Sequence, residues 1–280
     1  MSLALKPIKV IEPHSKWKLF DFKELLYYKD LVYYMVLRDV TVLYKQTVLG
    51  VSWAVLNPLL NAIIFTIIGS FADIPSDGIP YFIFSYTGMI AWTYFDQGMT
   101  FSSNSLVQNA GIFTKVYFPR MIIPLTPVLS KLVDFVISFS FLIAIMIYYS
   151  IYPGLNILVL PLLTVILILF TFASGLWLSS LAVQYRDVRF LIPFLSKFLM
   201  FVSPVLFPAS SVKEKFGETA YMLYGLYPMT GVLEGFRSAL LNRTPMPWDL
   251  IFLGSITTIV LLLTGLYHFK KSERYFADVV

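Results

Sequence analysis

Of the 280 residues, 58% are hydrophobic and 13% charged, against roughly 45–50% and about 25% in soluble domains; an ordinary soluble domain is excluded and a helical integral membrane protein indicated. A net charge of +5 without a basic patch interleaved with aromatics reflects topology rather than nucleic-acid binding. There is no cysteine, which removes disulfides and thiolate metal sites.

The chain opens with Lys6, Lys9, Lys16 and Lys18, and Pro7 and Pro13 interrupt any continuous helix there. Residues 1–48 are mixed and polar rather than a short basic segment followed by an apolar core. No signal peptide is therefore expected, and the N-terminus is expected to stay in the cytosol. From Phe22 to Val40, Phe22, Leu25, Leu26, Leu31, Val32, Met35 and Val36 recur at helical spacing between charged residues. A helix packed on a soluble neighbour has the same pattern; a membrane span starting about a dozen residues on favours one lying in the membrane interface. Gly50 is the expected pivot between this surface helix and the first span, because a residue without Cβ turns at low steric cost.

Six spans are expected, at roughly 20 residues each: 51–71, 81–107, 121–151, 157–181, 190–207 and 250–267. Residues 1–48 form a cytosolic tail and interface helix, 49–280 the transmembrane domain, and 270–280 a cytosolic tail. Eight Lys and Arg fall in 1–48, two in 107–121, two in 184–189 and three in 270–280. The opposite side holds Lys213, Lys215, Arg237 and Arg243. Loops of this length follow the positive-inside bias, which places both termini in the cytosol.

Residues 208–249 are unlike a plain loop. The stretch YMLYGLYPMTGVLEGFRSALL is as apolar as a span but is interrupted at Tyr227-Pro228. It reads as two re-entrant helices, a form that survives only when buried in protein or lining a water-filled cavity. A full extra span would send Lys270, Lys271 and Arg274 outside, against the charge rule.

No catalytic constellation is visible. His14 and His268 do not support paired metal ligation, and no GxxxxGK[ST] loop occurs, so active transport needs an ion gradient or a partner. The ionisable residues within spans are Asp96, Lys131, Asp134 and Lys197. Lys131 and Asp134, three apart, share a helix face and can neutralise each other; Lys197 can snorkel towards the cytosol. Aromatics make up 17% of the chain, with a stripe at Phe190, Phe194, Phe198 and Phe201, others at Tyr86, Trp92 and Tyr94, and Trp53 and Phe65 on the first span. Trp and Tyr near span ends anchor at the interface by default, and packing is favoured over a passage for the stripe. An aromatic-lined passage nonetheless suits sugars, whose C–H faces stack on rings. Gly111 to Arg120 and QYRDVR (184–189) give a cytosolic footing able to dock a soluble partner, although simple charge anchoring has the same look.

RDVTVLYKQTVLGVSWAVLNPLL (38–60), SDGIPY (76–81), SSNSLVQNAGIFTKVYFPR (102–120), LVDF (132–135), QYRDVRFLIPFL (184–195), SPVLFP (203–208) and YPMTGVLEGFR (227–237) together closely resemble one family. It is the permease subunit of bacterial polysaccharide exporters of the ATP-binding cassette superfamily, O-antigen (Wzm) kind. The resemblance implies a six-span half-transporter in the inner membrane that forms a homodimer around one channel. Two separate ATPase subunits would bind beneath it and hold the ATP and magnesium, leaving this chain without cofactor or catalytic activity. The cargo would be a polysaccharide on undecaprenyl diphosphate. Thr114, Lys115, Val116, Tyr117, Phe118, Pro119 and Arg120 would couple to the ATPase, with Tyr185, Arg186, Asp187 and Arg189 nearby. Trp53, Phe65, Tyr86, Trp92, Tyr94, Phe190, Phe194, Phe198 and Phe201 would guide the sugar chain. Arg38 and Lys45 at the cytosolic rim would meet the lipid diphosphate by charge.

Two positions depart from the family pattern: Lys131, where a small residue is expected, and Tyr227, where asparagine is expected before Pro-Met. The alternatives are a teichoic-acid exporter, which asks for a more basic passage, and an ion-coupled carrier using Asp96 or Asp134. A membrane glycosyl-transfer enzyme using Glu214, Glu218, Glu234 or Asp249 is a further rival.

Overall fold

Gly50 has φ +49°, a left-handed conformation that side chains with a Cβ adopt rarely, and the chain turns there as expected. The computed structural model describes residues 26–45, 47–113 and 118–273. Before the turn lies α1 (Lys29–Tyr44), of which Met35 alone is fully buried. It ends six residues before the turn; Phe22 to Leu25 lie outside the described residues. After the turn comes α2 (Ser52–Phe71), whose buried Pro58, Ala62, Phe65 and Gly69 fall at i, i+4, i+7 and i+11. That stripe packs on the later helices and leaves the opposite face of α2 open.

The centre of the bundle is α3 (Tyr81–Gln108), which packs against α2, α5 (Ile122–Tyr148), α6 (Leu160–Gln184), α7 (Val188–Val202) and α9 (Pro228–Leu241). Eighteen of its 28 residues are buried, which is why it carries no single apolar stripe: a helix enclosed on all sides has no polar face to show. Several of its buried polar groups find partners inside the protein. The Ser102 hydroxyl donates to the Pro124 carbonyl at 2.7 Å, and the Tyr94 hydroxyl to the Val128 carbonyl at 3.1 Å. Both bonds tie α3 to α5 in a setting where such groups have no water to turn to. The short α4 (Ala110–Phe113) follows α3, and α6 is entered through a 3-10 turn at Leu155–Val159.

All secondary structure among the described residues is helical, and four helices are long and apolar enough to cross a membrane: Ser52–Phe71, Ile122–Tyr148, Leu155–Gln184 and Trp248–Ser272 (the last is α10). They match the first, third, fourth and sixth expected spans. The fifth is shorter than expected: α7 stops at Val202, and Ser203 is already extended (ψ 153°). The cause is Pro204, which disfavours helical backbone in the residue before it.

Between α7 and α10 lie α8 (Ala209–Gly225) and α9, with the break at Tyr227-Pro228 where the sequence puts it. Pro228 is the first residue of α9, the position where a missing N–H costs nothing. Every residue of α9 is buried, and its backbone lies close against α10. A Cβ on Gly231 would stand 2.6 Å from the Leu250 carbonyl oxygen and 2.8 Å from the Ile251 nitrogen, backbone atoms that cannot rotate away. Gly231→Ala should therefore cost about 1–3 kcal/mol. Equilibrium unfolding in detergent micelles measures this, and an unchanged midpoint would show the crossing to be looser.

Candidate functional site: a membrane-embedded cleft and its footing

The end of α1 meets α2, α3 and α5 around a cleft of about 490 Å³. Trp53 and Asn57 of α2, Tyr94 and Gln97 of α3, and Lys131 and Asp134 of α5 line it, with Tyr44 from α1. Lys131 Nζ lies 2.9 Å from Asp134 Oδ2, the neutralising pair expected from their spacing, and 4.8 Å from the Phe101 ring centroid. The Tyr44 hydroxyl donates to Asp134 Oδ1. Burial, followed by that hydrogen bond and the carboxylate's charge, holds the Tyr44 phenol well above the usual tyrosine range. It therefore remains a proton donor, and α1 is latched to the bundle through one carboxylate. A second anchor is weaker: Arg38 donates to Asn109 Oδ1 at 3.3 Å while paired with Asp39 at 2.8 Å. Lys45, at the end of α1, is exposed.

The aromatic residues divide into two groups. Phe65, Tyr86 and Trp92 are buried in the chain's own core; Tyr86 stacks on Phe82, and Trp92 packs on Phe95. Tyr94 is buried too but borders the cleft, with its ring edge against Phe135. Trp53 is exposed at the cleft mouth, and Phe190, Phe194, Phe198 and Phe201 project from α7 with 56–75% of each residue exposed. Spacing along a helix places rings on one face, but does not say whether another helix of the same chain covers that face. The other side of α7 is held by Ser196, whose hydroxyl donates to Asp96 of α3.

Thr114, Lys115, Val116 and Tyr117 lie outside the described residues. Phe118 is buried, and Arg120 Nη1 donates to the Glu273 carbonyl at 2.6 Å, at the end of α10. Gln184 Nε2 donates to Ser272 Oγ at 2.7 Å, one residue away on the same helix end. The two polar segments singled out in the sequence thus converge on residues 272–273, although 64 positions separate Arg120 from Gln184. Tyr185, Arg186 and Asp187 are exposed beside that junction. Arg189 is half-buried, and its Nε has no hydrogen-bond partner among the described residues.

At the opposite end of α3 sits a cluster that sequence reasoning did not assign. Arg237 Nη1 lies 3.1 Å from Glu234 Oε1, and its other nitrogens donate to the carbonyls of Phe84 (3.3 Å) and Val205 (3.0 Å). The guanidinium carbon stands 3.5 Å over the Phe84 ring centroid. Glu234 also accepts from the Ala209 backbone N–H at 2.9 Å. The available signal was an opposite-charge pair at i, i+3 in an apolar segment. With Arg237 1% exposed and Glu234 8% exposed, the pair knits α3, α8, α9 and the 203–208 loop together. Glu234, one of the acids considered for glycosyl transfer, is committed to that task; Glu218 pairs with Lys213 at 2.7 Å on the surface of α8.

Four helices long and apolar enough to cross a membrane, around a mostly apolar cleft that holds the Lys131–Asp134 pair, are the features of an integral membrane protein. The chain belongs to the ABC-2 type transporter family, whose family model matches residues 30–241. It is 29% identical over 245 residues to the O-antigen export system permease protein RfbA of Klebsiella pneumoniae, covering 87% of this chain and 92% of that one. It is 25% identical over 260 residues to RfbA of Myxococcus xanthus (92% and 98% covered). Similarity extends to the polysialic acid transport protein KpsM of Escherichia coli, 24% identical over 249 residues (86% and 92% covered).

Proposed function

We propose that this chain is the permease of an ATP-driven exporter that moves a polysaccharide, carried on undecaprenyl diphosphate, across the bacterial inner membrane. The carrying observation is its membership of the ABC-2 family together with similarity, along nearly its whole length, to O-antigen export permeases. In this reading a partner subunit hydrolyses the ATP, which the lack of a GxxxxGK[ST] loop in this chain supports. Two copies of the chain frame the passage, and two cytosolic ATP-binding-cassette subunits bind beneath.

In this reading α2, α3, α5, the helix from Leu155 to Gln184, α7 and α10 are the six spans. Both termini are cytosolic. Residues 1–48 are the tail and interface helix, and 49–280 form the transmembrane domain. The pair α8 and α9 re-enters from the outer side. Complete burial of α9 supports this, since re-entrant backbone persists at membrane depth when protein encloses it. Residues 114–120 and 185–189 transmit the stroke of the ATPase; the anchorage of both Arg120 and Gln184 at the end of α10 supports their acting as one mechanical unit. Lys45 and Arg38 receive the lipid diphosphate; Arg38 gives up Asp39 to do so. Trp53, Tyr94 and the α7 phenylalanines face the sugar chain, whereas Phe65, Tyr86 and Trp92 support them from within.

Reconstitution tests this. Vesicles holding the chain and its ATPase subunits should accumulate lipid-linked polysaccharide only when ATP is hydrolysed. Uphill movement of a solute by the chain alone under a proton or sodium gradient would replace the exporter with an ion-coupled carrier.

A further inference from the structure

One exposed face of α7 fits neither lipid nor simple packing. With 15 residues, the helix is about 22 Å long, short of the roughly 30 Å hydrocarbon core. Positions 190, 194, 197 and 201 follow the i, i+4, i+7, i+11 pattern of a single face. That face therefore presents Phe190, Phe194 and Phe201 with Lys197 in their midst, all exposed. The opposite face, with Ile192 and Ser196, is turned into the protein. Lys197 has no acidic partner among the described residues.

Snorkelling does not account for it. Lys197 stands nine residues, about 14 Å, from the first residue of α7, more than a four-carbon stem spans. The nearer end lies the other way, against the direction in which helical side chains lean. An ammonium group left facing acyl chains is strongly disfavoured. A face that joins a cation to flat rings instead matches a polar ligand with both apolar faces and negative charge.

We propose that this face of α7 lines the passage and that Lys197 selects for anionic sugar polymers, its ammonium pairing with acidic substituents while the phenylalanine rings stack on the sugars. The inference rests on the polysaccharide-permease reading and deepens it by naming the substrate class. In a homodimer the passage holds two such cations. One fixed charge per wall attracts an acidic chain without trapping it, because each pairing is exchanged for the next as the polymer advances.

The absence of cysteine from the chain makes the test free of background. Phe194→Cys, and separately Phe190→Cys in case one variant fails to fold, are placed in the full-length protein in vesicles. Each is labelled with the sulfonate and the trimethylammonium forms of a water-soluble methanethiosulfonate. The sulfonate reagent is expected to gain roughly tenfold over the cationic one, as a cation-lined concave surface concentrates anions, and Lys197→Gln should abolish that gain. Oligogalacturonate should slow labelling in the Lys197 background, neutral dextran oligomers should not, and Lys197→Gln should remove the protection.

Failure of both reagents to reach either cysteine would overturn the proposal, since the face is then covered by lipid or protein. So would a reagent ratio indifferent to Lys197→Gln, or equal protection by neutral and acidic oligomers. Protection by geranyl diphosphate but not by oligogalacturonate would also overturn it, by assigning Lys197 to the lipid diphosphate. ATP-dependent export by the full complex holding the unsubstituted chain is read in parallel. Persistence of export while labelling fails removes this inference alone; absence of export despite the expected labelling removes the permease reading.

Discussion

Replacing Arg237 with methionine is expected to destabilise the protein by about 3–5 kcal/mol, the usual cost of stranding one member of a buried ion pair. The residue is 1% exposed and bonds three separate acceptors. Its loss leaves the Glu234 carboxylate with only the Ala209 N–H and takes a donor from the Phe84 and Val205 carbonyls, while the Phe84 ring loses its cation. Adding Glu234→Gln should restore at least about half of the lost stability, because the stranded charge is then gone. Equilibrium unfolding of the two single variants and the double variant in the same detergent gives the coupling directly. A single-variant loss below about 1 kcal/mol would mean that the cluster is wetter and looser than its packing implies.

The second large effect concerns the footing. Arg186→Glu reverses an exposed charge, so the permease itself should fold and purify normally. Opposing charges lost across a docked surface typically cost about 2–5 kcal/mol, a drop on the order of thirtyfold or more in affinity for the ATPase subunit. Export should fall accordingly. Combining it with Arg120→Glu should abolish export altogether, because Arg120 also fastens the 118–120 segment to the end of α10. Pull-down of the ATPase and export by cells are the readouts. Normal export by the double variant would remove these segments from the coupling path.

Much of the architecture was legible because chain breaks have local causes. The Gly50 turn and the Tyr227-Pro228 interruption follow from the backbone freedom of one residue and the missing donor of another, and both stand where expected. The early end of α7 has an equally local cause, since Pro204 disfavours helical backbone at Ser203. The Lys131–Asp134 pair was readable from its spacing, while the Tyr44 latch was not: 90 positions separate Tyr44 from Asp134. The aromatic residues show the limit most clearly. Tyr86 and Phe194 look alike in a hydropathy profile, yet one ring is enclosed by Phe82 and Phe141 and the other is uncovered. Periodicity reports a face, and only the assembled helices decide what that face meets.

The character of α3 bears on how the molecule is made. It is the most enclosed of the long helices, yet it is not among the four apolar enough to cross a bilayer by composition. Its serines, threonines and buried tyrosines make partitioning from the translocon into lipid unfavourable while it emerges alone. Secure lodging must wait until α5 and α6 are synthesised and supply the carbonyls and apolar walls that α3 leans on. Biogenesis of this chain is then a cooperative event among successive segments, and a nascent chain released too early would leave its central helix stranded at the membrane surface.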